Sequence, residues 1–101
     1  MESFDERCYE LLKQVPKGKV TTYKAIAEAL GTKAYRAVGG AMNRNPYAPK
    51  VPCHRVVNVD GSLGGFAFGQ AEKVARLKAE GVEVEQGKIK AFKERLYDAF
   101  Q

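Results

Sequence analysis

Two adjacent glycines, Gly39 and Gly40, lie inside a segment that otherwise favours an α-helix from about Lys33 to Asn43. Each glycine destabilises a helix interior by about 1 kcal/mol relative to alanine. Because glycine lets a backbone or a ligand come closer than any side chain would, the pair predicts a close approach at this helix. One face of the helix is therefore expected to lie against another backbone or to stay open to a ligand.

A second short helix precedes the one that carries the glycines. Thr22 can cap a helix from Tyr23 to Leu30, and Gly31 lies where a left-handed residue commonly ends a helix. Two short helices joined by a tight turn that contains glycine form a helix-turn-helix pattern. A plain helical hairpin in a core has the same spacing, so these residues alone leave both interpretations open.

Three further segments favour helices by the spacing of their apolar residues. Ser3 can cap a first helix from Phe4 to Val15. A fourth helix is predicted from Gln70 to Glu80, and its inward-facing residues are Ala71, Val74, Ala75 and Leu77. A final amphipathic helix is predicted from four spaced apolar residues, which are Ile89, Phe92, Leu96 and Phe100.

The β-forming stretches are short. Residues Val51 to Val59 favour an extended segment, and Asp60-Gly61 is a turn signal directly after it. Val82 and Val84 alternate with glutamates, which indicates one more short strand. Together the segments predict a mainly α fold with short β segments.

Length and charge limit the class of protein. A chain of 101 residues predicts a single domain over residues 1–101. Seventeen Lys and Arg against twelve Asp and Glu give a net charge of +5, which is typical of a polyanion binder. Two cysteines are too few for a disulfide-stapled secreted scaffold, no signal peptide is recognisable, and no apolar run reaches the roughly 18 residues of a membrane span. We therefore expect an intracellular protein, cytoplasmic or, in a eukaryote, nuclear, without membrane association.

Cys53 stands next to His54, the single histidine of the chain. A thiol near an imidazole is a candidate nucleophile, and Glu80 is a candidate carboxylate to orient that imidazole. Neighbouring side chains of an extended segment point to opposite faces, so a water or a bend is needed to connect the two groups. A buried small hydrophobe and a structural histidine remain the alternatives. Cys8 lies on the apolar face of the first helix and is predicted to be a core residue, and no metal-ligand spacing is present.

Three segments together resemble the C-terminal domain of the O6-alkylguanine-DNA alkyltransferases. Their sequences are YRAVGGAM at residues 35–42, NP at 45–46 and VPCHRVV at 51–57. The similarity continues through residues 22–23, 61–69 and 79–81, and it covers about Val15 to Val82. It implies a winged-helix-like, helix-turn-helix DNA-binding domain that lacks the family's N-terminal domain and needs no cofactor or metal.

The resemblance also implies how DNA is bound. The family inserts its second helix into the minor groove, and the small surface there corresponds to Ala37, Gly39, Gly40 and Ala41. Arg36 matches the arginine that fills the gap left by the extruded nucleotide. Tyr23 matches the tyrosine that helps to rotate the nucleotide out of the stack. Flipping is required because a thiol cannot reach the O6 substituent of guanine inside the duplex.

The chemistry that the resemblance implies is transfer of an alkyl group to Cys53. His54 matches the water-linked base, Glu80 its carboxylate partner, and Asn45 the asparagine that ties the recognition helix to the active-site loop. The expected pocket walls are Met42, Val56, Phe66, Ala67 and Phe68. Because the product is a thioether that ordinary hydrolysis does not reverse, each molecule is expected to act once. The expected substrate is duplex DNA that carries O6-alkylguanine, and the protein is expected to bind it as a monomer.

Two alternatives remain. The alkyltransferase-like proteins have a similar compact length, carry another residue at the acceptor position, bind lesions without repairing them and recruit other repair proteins; Cys53 favours transfer instead. A plain helix-turn-helix regulator would explain the basicity. The recognition helix of this chain, however, is poor in the Asn, Gln and Arg side chains that read the major groove.

Overall fold

The computed structural model describes residues 2–101 and confirms a mainly α chain with short strands. Its helices are α1 (Phe4–Leu12), α2 (Tyr23–Ala29), α3 (Tyr35–Asn43), α4 (Gln70–Ala79) and α5 (Phe92–Arg95). Its strands are β1 (Thr21–Thr22), β2 (Val56–Val57), β3 (Val84–Glu85) and β4 (Lys88–Ile89), and a 3-10 turn spans Cys53–Arg55. Within the described residues, no helix is both long enough and apolar enough to cross a bilayer.

The caps of the first two helices are as predicted. Ser3 Oγ accepts a hydrogen bond from the Glu6 N–H, and Thr22 Oγ1 accepts one from the Ala25 N–H. Helix α1 ends at Leu12 rather than at Val15. Its last turn tightens into a bond from the Val15 N–H to the Leu12 carbonyl, because a residue before proline avoids the helical conformation. Gly31, with φ of +74°, ends the second helix region as expected.

Helices α2 and α3 form the helix-turn-helix, and α1 packs against both of them. The core between them includes Leu12, Ile26 and Val38, each with no exposed surface. Strands β1 and β2 pair in parallel, with Thr21 opposite Val56. This pairing joins the N-terminus of α2 to the segment that carries the cysteine, so the two halves of the candidate site have a fixed relative position.

The burial pattern of α4 corrects one prediction. Leu77 is buried and Val74 partly buried, as expected, but Ala71 and Ala75 are exposed. Lys73 takes the inward position instead and has no exposed surface. Hydrophobic periodicity misses this arrangement because a buried lysine is tolerated only where its ammonium finds hydrogen-bond acceptors, and those acceptors come from other segments.

The predicted C-terminal amphipathic helix is wrong. Ile89 lies in β4, which forms an antiparallel hairpin with β3, and the helix that follows spans only Phe92–Arg95. Ala91 adopts a left-handed conformation, with φ of 55°, so the helix cannot extend back to Ile89. Beyond α5 the chain is extended, because Val20 donates a hydrogen bond to the Arg95 carbonyl and its own carbonyl accepts one from the Tyr97 N–H.

Candidate functional site

A cavity of about 530 Å³ opens between α3, the N-terminus of α2 and the loop of residues 63–69 that precedes α4. We call that segment the wall loop. Most of the residues expected at the site line this cavity: Tyr23, Arg36, Gly39, Gly40, Met42, Cys53, Phe66 and Ala67. The structure therefore brings the candidate nucleophile, the candidate flipping residues and part of the expected wall together.

Four of the residues expected at the DNA-binding surface or in the pocket wall do not line the cavity. Ala41 and Val56 have no exposed surface and belong to the core behind the cavity, so Ala41 offers no surface to DNA and Val56 is not part of the wall. Ala37 is exposed on α3 beside the cavity, and Phe68 is 57% exposed at the outer part of the wall loop. The cavity is therefore walled by Met42 and the inner part of that loop.

Several residues that line the cavity were not predicted from the sequence, among them Tyr35, Asn43 and Asn58. Helical spacing could have found the first two. Tyr35, Gly39 and Asn43 recur every four residues and so occupy one face of α3. Asn58 lies directly after β2, and no local sequence signal points to it.

The glycine pair is not required by the packing of the chain itself. A Cβ atom built on Gly39 meets no other atom within 4 Å. One built on Gly40 meets only the guanidinium of Arg44, at 2.9 Å, and that group is the far end of a flexible side chain. Both glycines are helical and line the cavity mouth. Within the described residues, no other segment therefore approaches α3 closely at Gly39, and this face of the helix stays open.

Cys53 lies in a tight turn and not in the extended strand that the sequence predicts. Pro52 precedes the turn, and its carbonyl accepts a hydrogen bond from the Arg55 N–H at 2.9 Å. The Cys53 side chain reaches the cavity while the residue is only 3% exposed. Cys8, in contrast, is a core residue as predicted, and burial raises the pKa of its thiol to about 11.

His54, Glu80 and Arg55 form a largely buried cluster beside the cysteine. His54 Nε2 lies 3.1 Å from Glu80 Oε1, within ion-pair distance although not in well-aligned hydrogen-bond geometry. Arg55 binds the same carboxylate with two nitrogens, and its Nε donates to Oε1 at 2.9 Å. The expected His54–Glu80 contact is therefore present, whereas the part of Arg55 was not foreseen.

Burial and charge act in opposite directions in this cluster. Burial lowers the pKa of His54, and this effect outweighs the opposing influence of Glu80. Burial alone would raise the pKa of Glu80, but its contacts with Arg55 and His54 lower it overall. The cluster therefore favours an ionised carboxylate beside a neutral imidazole.

Asn45 connects α3 to the segment before the cysteine. Its Nδ2 donates to the Val51 carbonyl at 2.7 Å, and its Oδ1 accepts from the Tyr47 N–H at 2.9 Å. The Val51 carbonyl also accepts from the Cys53 N–H. The side chain of Asn45 thus holds the loop that ends at Cys53.

Lys73 is a site residue that sequence reasoning missed. Its Nζ donates to the carbonyls of Val56 at 2.6 Å, Leu63 at 2.5 Å and Gly65 at 3.3 Å. It therefore joins β2 to the first part of the wall loop, at Leu63 and Gly65. Burial lowers the pKa of Lys73 to about 8, against an opposing influence of Cys53.

Two more side chains of α4 hold the wall loop. Gln70 Nε2 donates to the Gly64 carbonyl at 3.0 Å. The Arg76 guanidinium lies 5.4 Å from the ring centroid of Phe66 and 4.9 Å from that of Phe68, which is cation–π distance. Gln70, Lys73 and Arg76 recur every three residues, so one face of α4 fixes the wall of the cavity.

The burial of Lys73 predicts an alkaline gain in stability. We expect the free energy of unfolding to rise relative to a Lys73→Met variant between pH 8 and pH 10.5. In this window the folded chain has released a proton that the unfolded chain still holds, so stability increases with pH. At about 1.4 kcal/mol per pKa unit, the gain amounts to at most about 3 kcal/mol. Urea unfolding across the window measures it, and parallel curves for the two proteins would contradict the assignment.

A family model described as the DNA-binding domain of 6-O-methylguanine DNA methyltransferase matches residues 3–82. The chain belongs to this family. The resemblance to the alkyltransferase family that the sequence indicates is thereby confirmed. The helix-turn-helix formed by α2 and α3 agrees with this family. Within the residues that the structure describes, no group of three or more His, Cys, Asp and Glu side chains is placed to hold a metal ion.

Relatives of known name are similar over most of the chain. A bifunctional methyltransferase/endonuclease of Picrophilus torridus is 46% identical over 88% of this chain and 31% of its own length. A methylated-DNA--protein-cysteine methyltransferase of Thermococcus gammatolerans is 52% identical over 79% of this chain and 45% of its own length. The chain thus spans less than half the length of these relatives.

Solved structures show the same fold. The Mycobacterium tuberculosis OGT, crystallised in complex with DNA, is 40% identical, with a TM-score of 0.75 over 79% of this chain and 50% of its own. Schizosaccharomyces pombe Atl1, in complex with damaged DNA that contains O6-carboxymethylguanine, is 33% identical, with a TM-score of 0.82. That match covers 96% of this chain and 98% of Atl1.

Proposed function

We propose that this chain repairs O6-alkylguanine in duplex DNA by moving the alkyl group to its own Cys53. The observation that carries the proposal is the position of that thiol in the wall of a 530 Å³ cavity, between Tyr23 and the wall loop. Ligand pockets are usually apolar with a few placed polar groups, and an aromatic-lined cavity suits a planar base.

The cavity can take only a base that has left the duplex, because the thiol lies inside the protein. The small surface of Gly39 and Gly40 supports a close approach of α3 to the minor groove. Arg36 is exposed on the same helix at the cavity mouth, and we expect its side chain to enter the space of the extruded nucleotide. Tyr23 lines the cavity, and burial, followed by the influence of Cys53, raises the pKa of its hydroxyl, so it stays protonated and able to donate to the base.

The reaction is a displacement at carbon. His54 accepts the proton of Cys53 through a water molecule, since the two side chains make no direct hydrogen bond. The thiolate attacks the alkyl carbon, a sulfur–carbon bond forms, and the carbon–oxygen bond breaks with its electron pair left on guanine. Guanine takes a proton, so that overall the proton lost by Cys53 is balanced by the one that the released base gains. Glu80 orients His54. The thioether has no route back to a thiol, so each molecule reacts once.

A second candidate function is lesion binding without transfer. It is favoured by the overlay on Atl1, which covers nearly the whole of both chains and comes from a complex with DNA that contains O6-carboxymethylguanine. A protein of this kind needs the cavity and the DNA-binding surface but no nucleophile. The presence of Cys53 at the cavity wall favours transfer.

The two functions are separated by weighing the intact protein after incubation with duplex DNA that carries O6-methylguanine. Transfer predicts a gain of one methyl group, located in the peptide that contains Cys53, and a DNA product with unmodified guanine. Lesion binding predicts an unchanged protein mass with methylated DNA retained in the complex. Undamaged duplex of the same sequence is the control and should leave the mass unchanged in both cases.

A further inference from the structure

Arg55 shares a carboxylate with the proposed proton acceptor. Its Nε and the Nε2 of His54 lie 2.9 Å and 3.1 Å from the same oxygen, Glu80 Oε1. The second carboxylate oxygen is also bound by Arg55. We propose that Arg55 is a positioning residue that keeps His54 neutral by balancing the charge of the Glu80 carboxylate between them.

The guanidinium is fixed in this position by a third contact. Arg55 Nη1 donates to the carbonyl of Val15 at 2.8 Å, beyond the end of α1. The exposed fractions of the Arg55, Glu80 and His54 side chains are 15%, 12% and 4%. Planar two-nitrogen binding of a carboxylate is specific to arginine and is strong where water is largely excluded.

The charge balance follows from this geometry. A buried imidazole beside a lone carboxylate is stabilised in its protonated form. Here the carboxylate is already paired, so a proton on His54 would add an uncompensated positive charge to a nearly closed site. The charged groups that act on His54 are Glu80, Arg55 and, from α4, Arg76, and both arginines oppose its protonation.

The consequence concerns the reaction proposed above, and for that consequence alone the inference rests on the proposed function. A neutral imidazole can accept the proton of Cys53 at neutral pH, whereas an imidazolium cannot. Arg55 touches neither the thiol nor the cavity, so it acts through Glu80. Without it, the Glu80 carboxylate would hold a proton on His54 and slow the transfer near neutral pH.

The test is an NMR titration of His54, which gives a single unambiguous signal because the chain has one histidine. It is made on the free protein and its Arg55→Gln variant. We expect the midpoint of the variant to rise by roughly 1–3 pH units and to pass the ordinary value of about 6.5. Mere unfolding would bring it only to that ordinary value. The double variant Arg55→Gln/Glu80→Gln should return the midpoint below it. An unmoved midpoint in folded Arg55→Gln protein overturns the proposal.

Arg55→Lys covers the case in which the glutamine variant does not fold. The ammonium keeps the charge but cannot bind both carboxylate oxygens in one plane, so we expect a smaller upward shift. A midpoint equal to that of the unaltered chain would overturn the proposal. If instead the titration behaves as expected while the unaltered chain gains no methyl group, the proposed transfer fails and the charge balance stands. The transfer rate of the lysine variant should fall most toward acidic pH, a change that a purely structural role would not produce.

Discussion

Replacement of Cys53 by serine is expected to abolish the methyl-sized mass gain and to leave binding of methylated DNA intact. Serine is nearly isosteric with cysteine, so the cavity and its lining keep their shape. A serine hydroxyl is a far weaker nucleophile than a thiol at neutral pH unless a strong base is aligned on it. Intact mass spectrometry measures the loss, and a gel-shift titration with the same duplex measures the binding.

The matched control is Cys8→Ala, at the other cysteine of the chain. Cys8 has no exposed surface, and burial raises the pKa of its thiol to about 11, so it remains protonated and out of reach of DNA. We expect this variant to be less stable but to gain the methyl group in full. A mass gain that survives Cys53→Ser, or that disappears in folded Cys8→Ala, would contradict the assignment of the acceptor.

The parts of the fold that follow from the sequence are those fixed by local chemistry. The caps at Ser3 and Thr22 depend on one hydroxyl and a backbone N–H three residues away. The left-handed end at Gly31 depends on a missing side chain. Such features lie within one turn of chain, so the residues that cause them can be identified without knowing the rest of the molecule.

The parts that could not be predicted depend on contacts between distant segments. The extended C-terminal stretch exists because Val20 binds the backbone of Arg95 and Tyr97, more than seventy residues further along. Lys73 is buried because the carbonyls of three separate residues converge on its ammonium. Periodicity in an apolar pattern carries no information about either partner.

The candidate site likewise combines features that local sequence predicts with features that depend on contacts between distant segments. Cys53 and His54 could be selected from their adjacency, and Glu80 as an available carboxylate. The turn that reorients Cys53, and the arginine that shares the carboxylate, depend on how the segment packs against α4 and the end of α1. Arg55 belongs to the motif VPCHRVV, but the sequence predicts no separate role for it, because its partner Glu80 lies 25 residues further along the chain.

Substitution of Gly39 by alanine is expected to stabilise the fold and to weaken DNA binding at the same time. A Cβ at this helical position meets nothing within 4 Å, so alanine removes the cost of glycine without a clash. The expected gain is about 0.5–1 kcal/mol, or a few degrees in Tm. The added methyl nevertheless projects from the face of α3 that lines the cavity mouth, where close contact with the minor groove is proposed.

Gly39→Leu is expected to enlarge the loss of DNA affinity and to separate it from the gain in stability. We expect at least a tenfold loss in affinity for duplex DNA, about 1.4 kcal/mol, with the fold retained. Ala75→Leu is the control, because it adds similar bulk to an exposed helical position that does not line the cavity, and it should leave affinity unchanged. Unchanged affinity in both Gly39 variants would mean that α3 does not approach DNA by this face. A loss of stability in Gly39→Ala would mean that the glycine serves the fold after all, since helix propensity alone favours the alanine.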